Sequence, residues 1–80
     1  MAKQRVKFTF PSSLITEPVI YQLGKRFNVV TNIRRANVTA QEGWVILEIE
    51  GDPADIERGI EYVVSMGVRV DSIEGDVFAG

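Results

Sequence analysis

The chain has no cysteine and no histidine. Without a thiolate or an imidazole, the usual nucleophile and base pairs are missing, and zinc, haem and iron–sulfur sites lose their ordinary ligands. No disulfide can staple so short a chain, so stability rests on one modest apolar core. No apolar run approaches the roughly 18 residues that a membrane-spanning helix needs. No long apolar stretch follows Met1-Ala2-Lys3-Gln4-Arg5, so no signal peptide is expected and the reading is a cytoplasmic protein without membrane insertion. A basic excess is lacking too: Lys and Arg number 9 against 11 Asp and Glu, a formal charge of −2. The sequence shows no basic stripe, so nucleic acid is not an expected partner. Carboxylates, lysines and hydroxyls alone remain for catalysis. The expectation is a binding or regulatory module, not an enzyme, with no cofactor and no metal site.

What is present is a patterned chain of 80 residues, one domain in size. Arg5-Val6-Lys7-Phe8-Thr9-Phe10 alternates polar and apolar, which predicts a half-buried strand with Val6, Phe8 and Phe10 inward. Pro11-Ser12-Ser13 ends it. Thr16-Glu17-Pro18 reads as a helix start, with Thr16 as cap and Pro18 in the first turn. Val19, Ile20, Leu23 and Phe27 follow at helical spacing. Lys25 and Arg26 suit the helix C-terminus, and Asn28 is suited to a left-handed stop.

Residues 29–39 are extended with a mixed period. Val30, Asn32, Arg34, Ala36 and Val38 alternate with Val29, Thr31, Ile33, Arg35 and Asn37, and neither set is cleanly apolar. This predicts an edge strand with a bulge near Arg34-Arg35 that switches the register. Ala40-Gln41-Glu42-Gly43 predicts a hairpin turn. In the strand over 44–50, Val45, Leu47 and Ile49 oppose Trp44, Ile46, Glu48 and Glu50. Asp52-Pro53-Ala54-Asp55 predicts a capped helix start, and Ile56, Ile60, Val63 and Val64 form its stripe. Gly67 is the expected left-handed stop. A last strand covers 68–73, and the tail 75–80 is expected to fray. The ordered core is placed at about 4–74.

The order is strand, helix, strand, strand, helix, strand. Two split βαβ units with right-handed crossovers give an α+β, ferredoxin-like sandwich. Both helices cover one face of a four-stranded antiparallel sheet, with the first and third strands central. Glu17-Pro18 before Gly24 and Asp52-Pro53 before Gly59 hint at a duplication, but the apolar phases do not superpose.

Trp44 and Ile46 fall on the open face, either as ordinary half-buried surface or as an interaction platform. Asn32-Ile33-Arg34-Arg35 lies on the edge strand. Charges there block indiscriminate strand pairing, or the edge pairs with a partner while Asn32 and an Arg hold a small polar ligand. Gly24 and Gly59 inside helices suggest close helix–sheet packing. Glu48, Glu50, Asp52 and Asp55 read as a solvated strand face and a helix cap ahead of a cation site. An RNA-recognition reading is poor, since Phe8 and Phe10 face the core and the third strand carries Glu48 and Glu50.

From Phe27 to Asp71 the pattern resembles the NIL domain, a family named for an Asn-Ile-Leu motif on its second strand. Thr31-Asn32-Ile33-Arg34 matches that motif, with Arg34 in the leucine position. The likeness continues through Gly43-Trp44-Val45-Ile46-Leu47-Glu48-Ile49-Glu50-Gly51 and through Ile56 to Gly67-Val68-Arg69-Val70. The family is known as the C-terminal regulatory domain of methionine-importing ABC transporter ATPases. The resemblance implies a methionine sensor that pairs through second-strand edges, with the ligand near that dimer interface. Other members stand alone or are fused to ferredoxins in sulfur metabolism. Carried over by position, Asn32 is the ligand-contacting asparagine, Ile33 the apolar motif residue, and Val38 the place of a side chain near the ligand. Arg34, Ala36, Trp44 and Ile46 are the expected interface residues. The hairpin over 39–43 is shorter than the glycine-rich loop of transporter members, and no ATPase sequence is present to be gated in cis.

Two functions follow as expectations. One is a stand-alone regulatory domain binding methionine or a related sulfur amino acid at a homodimer interface. The other is a protein–protein adaptor with no small ligand, linked to a transporter or to ferredoxin-dependent sulfur metabolism.

Overall fold

A computed structural model describes residues 2–73. The elements are β1 (Ala2–Pro11), a 3-10 turn (Ser12–Leu14), α1 (Val19–Arg26), β2 (Val29–Val38), β3 (Glu42–Gly51), α2 (Pro53–Ser65) and β4 (Arg69–Ser72). The strands form one antiparallel sheet in the order β2-β3-β1-β4, so β1 and β3 are central, as the βαββαβ order predicts. The fraying predicted for 75–80 lies outside the described residues.

Strict alternation in the two central strands builds the core. Val6, Phe8 and Phe10 of β1 and Val45, Leu47 and Ile49 of β3 are buried on one face. Val19 and Leu23 of α1 and Ile56 and Val63 of α2 close over them. Removing this apolar area from water is the main favourable term holding so small a domain together. Cross-strand partners share a face, so the register places Lys3, Arg5, Lys7, Trp44, Ile46, Glu48 and Glu50 on the side the helices leave open.

Local signals were obeyed unevenly. Pro53 occupies the first turn of α2 after Asp52, and Gly67 ends it with φ 104°, a conformation that suits glycine. Asp52 stands at the N-cap but its side chain makes no capping hydrogen bond; its carbonyl accepts from Ile56 N–H at 3.0 Å. α1 starts later than its pattern suggests, at Val19, with Pro18 at the N-cap and Thr16 outside the helix. Asn28 is not left-handed: α1 stops because Phe27 turns extended (φ −122°, ψ 150°) straight into β2. The hairpin is tighter than predicted. β3 begins at Glu42, and the Thr39 hydroxyl donates to the Glu42 carbonyl at 2.8 Å while accepting from the Gln41 and Glu42 N–H groups.

Two packing expectations are corrected. Val64 is exposed, so the buried stripe of α2 runs through Ile56, Gly59 and Val63, with Ile60 partly covered. Gly24 is also exposed and has room for a side chain. Gly59 is a point of close approach between the helices, not between helix and sheet: a Cβ there would lie 2.6 Å from Leu23 Cδ1. The rings of Phe27, just past α1, and Tyr62 of α2 meet nearby at a tilt, their centres 5.5 Å apart.

Candidate functional site

The free edge of β2 is the candidate site. Nine of its ten residues pair with β3 on one side, and only Val29 at its start is buried. The register slips between Ile33 and Arg35, so Arg34 is the extra residue of a bulge. That slip resolves the mixed period of the sequence. Before it, Val29, Thr31 and Ile33 lie opposite Gly51, Ile49 and Leu47; after it, Ala36 and Val38 lie opposite Val45 and Gly43. Hence Val29, Thr31, Ile33, Ala36 and Val38 share the helix-side face. Val30, Asn32, Arg35 and Asn37 pair with Glu50, Glu48, Ile46 and Trp44 on the open face.

The expected ligand residues therefore divide. Ile33 and Val38 share the helix side, 54% and 58% exposed and separated along the strand by Ala36, while Asn32 is on the other face. Val38 also lines a depression of about 210 Å³ with Phe10, Ile15, Pro18, Val19 and Val45, and with Glu17 on its border. The depression is small and mostly apolar, below the usual size for drug-like ligands. The expected interface residues divide likewise. Ala36 faces the helix side; Trp44 and Ile46 face the open side, beside Lys7, whose Nζ lies 5.2 Å from the Trp44 ring centre.

On the open face Arg5 and Glu48 form a largely buried ion pair. Arg5 donates to Glu48 at 2.7 Å, with the two side chains only 18% and 11% exposed. That hydrogen bond holds the Glu48 carboxyl below its ordinary pKa; desolvation opposes the shift, and the charges of Arg34, Arg5 and Lys3 add to it. A carboxylate whose pKa is lower folded than unfolded stabilises the fold above its unfolded pKa, about 4.3 for Glu. That stability drains away as pH falls through the folded value. Thermal melts of Glu48→Gln should therefore depend less on pH across the acid limb than those of the parent. Equal slopes would show that the pair is not coupled to folding. The acidic run does not gather as a cation site: among the described residues no three such ligands converge.

Sequence reasoning missed a feature of this face. The chain as a whole has no basic excess, yet Lys3, Arg5, Lys7, Arg34, Arg35 and Arg69 all belong to the open side. The signal was available in the spacing of Lys3, Arg5 and Lys7, which period-two alternation puts on one side of β1.

Comparison with known proteins decides the family. The NIL domain model matches residues 4–72. The chain belongs to the NIL domain family. This NIL domain is 28% identical over 76 residues to methionine import ATP-binding protein MetN 1 of Enterococcus faecalis, covering 90% of this chain and 21% of that protein. It is 34% identical over 65 residues to the L-aspartate semialdehyde sulfurtransferase iron-sulfur subunit of Methanocaldococcus jannaschii, covering 81% of this chain and 50% of that one. The chain thus spans about a fifth of the transporter relative and half of the sulfurtransferase relative. The crystal structure of the C-terminal domain of an ABC transporter/ATP-binding protein from Enterococcus faecalis superposes with a TM-score of 0.79 at 18% identity, over 94% of this chain and 88% of that one. The α+β sandwich of this NIL domain is therefore a fold shared with a transporter ATPase C-terminal domain. Among the described residues no helix is long and apolar enough to cross a membrane.

Proposed function

We propose that this NIL domain is a regulatory binding module that takes methionine or a related sulfur amino acid at a homodimer interface built from two β2 edges. The observation that carries this reading is the β2 edge itself. An open strand edge of ten residues presents backbone N–H and C=O groups and exposes Ile33, Ala36 and Val38 on one face. Such an edge invites pairing, and a two-fold axis normal to the sheet closes it with a second copy. The depression bordered by Val38 offers an apolar seat for a thioether side chain, and Glu17 on its border offers a carboxylate to an ammonium group. The likeness to methionine import ATP-binding proteins supports methionine as the first ligand to try. The chain's role is then to bind and signal, with no catalytic step.

Because Asn32 and Val38 lie on opposite faces of β2, their substitutions test different things. Calorimetric titration with methionine should show Val38→Asp weakening binding at least about ten-fold, since a carboxylate in an apolar seat must be desolvated. Asn32→Ala, on the face away from that depression, should leave methionine affinity within about two-fold; a loss of about ten-fold, the worth of one hydrogen bond, would put the ligand on the open face instead. No heat with methionine, cysteine or homocysteine, or a monomer by light scattering at high micromolar concentration, would reject the sensor reading.

A further inference from the structure

The sheet face opposite the helices is distinct from the Val38 depression, and its charge is lopsided. It carries Lys3, Arg5, Lys7, Arg34, Arg35 and Arg69, six of the chain's 9 Lys and Arg, against Glu42, Glu48, Glu50 and Asp71. Glu48 is tied to Arg5 at 2.7 Å and Asp71 to Arg69 at 3.1 Å. Among the described residues, Lys3, Lys7, Arg34 and Arg35 enter no ion pair. The helices and their connections reverse the sign: Glu17, Asp52, Asp55, Glu57 and Glu61 stand against Lys25, Arg26 and Arg58. A nearly neutral composition thus hides a two-sided molecule.

From this separation we infer that the open sheet face docks an acidic protein surface, with Trp44 and Ile46 as the apolar centre and Lys3, Lys7, Arg34 and Arg35 as the cationic rim. Opposed fields on the two sides draw an acidic partner to the sheet and turn it away from the helices, fixing orientation as well as raising the encounter rate. Trp and Arg are the side chains that most often carry binding energy, and an apolar centre inside a polar rim is the ordinary anatomy of a protein interface. A protein suits the face better than a nucleic acid. Glu48, Glu50 and Asp71 interrupt any phosphate track, and Trp44 is the chain's one tryptophan, where strand-borne stacking uses several aromatics. In a dimer joined through β2 about an axis normal to the sheet, both open faces lie on the same side, so the two cationic rims adjoin.

The test is an amide NMR titration of the 80-residue chain at about 20 and about 300 mM salt. One probe is a purified acidic ferredoxin-type iron–sulfur protein, chosen because the sulfurtransferase relative is an iron-sulfur subunit of which this chain spans half. The other is a short single-stranded RNA. Saturable shifts at Lys7, Arg35, Trp44 and Ile46 with the protein are expected, weakening about ten-fold or more at the higher salt. They should vanish in the double variant Arg34→Glu, Arg35→Glu, whose exposed positions tolerate the change and whose spectrum reports the fold. No saturable shift at millimolar probe, undiminished binding by the double variant, shifts on the helix side, or tighter binding of the RNA would each overturn the inference. Val38→Asp should leave this binding intact, so failure of the methionine reading and failure of this one are told apart.

Discussion

Phe8→Ala is expected to lower the unfolding free energy by about 3–5 kcal/mol, the usual cost of emptying a phenylalanine site in a core. Phe8 is fully buried at the centre of β1, opposite Val45 of β3 and Val70 of β4, with its ring edge-on to Phe10 at 6.2 Å. A strand laddered on both sides cannot sink into the space left behind, so the cavity persists and the lost contacts are not recovered. At about 0.05–0.15 kcal/mol per residue, a domain of this size has roughly 4–12 kcal/mol in all. The variant should therefore lose a large part of its stability and populate the unfolded chain at 25 °C if the parent lies at the low end of that range. Urea unfolding followed by the fluorescence of Trp44 measures it, since that side chain sits on the opposite face and is not part of the cavity. An unchanged midpoint would mean that the β1 core does not carry the fold.

The central strands and the helix order were legible because their signals are local and agree with one another. Alternation in β1 and β3, Pro53 at a helix start and Gly67 at a helix end each specify a single outcome. The bulge in β2 was legible for a less direct reason: without a slip at Arg34, neither face of the strand is apolar. What the slip does to the candidate site was harder to see. Moving Ala36 and Val38 onto the face of Ile33 separates both from Asn32, and only the pairing register settles which residues that includes. The α1 boundaries were misread because Thr16 and Asn28 have the right chemistry for caps, yet the chain enters that helix through a tight turn at Pro18 (φ −80°, ψ 61°) and leaves it in extended backbone at Phe27, using neither. The basic face escaped notice because net charge sums over the whole chain, and six cations become neighbours only when four strands are laid side by side.

Glycine shows most sharply where sequence alone falls short, because its value lies in what a missing Cβ avoids. Gly51→Val is expected to destabilise the domain by about 2–3 kcal/mol or more, the cost of forcing atoms into a filled site. Gly51 ends the central strand β3, opposite Ala2 of β1 and Val29 of β2, and a Cβ there would lie 2.9 Å from the Asn28 carbonyl oxygen and 3.2 Å from Val29 Cγ1. The obstruction is backbone, at the point where the chain leaves Phe27 for β2, and Val29 cannot retreat because it is the one buried residue of its strand. Relief must come from shifting the start of β2, which also carries the candidate site. Gly24→Ala should act in the other direction. That helical position is exposed, its nearest obstacle is the Val29 carbonyl at 3.9 Å, and alanine favours a helix over glycine by up to about 1 kcal/mol. Parallel urea titrations of the two variants check the pair. Opposite shifts in midpoint are the expected result; a neutral Gly51→Val would show that the β2 start yields freely, and the edge geometry assigned to the site would then be soft as well.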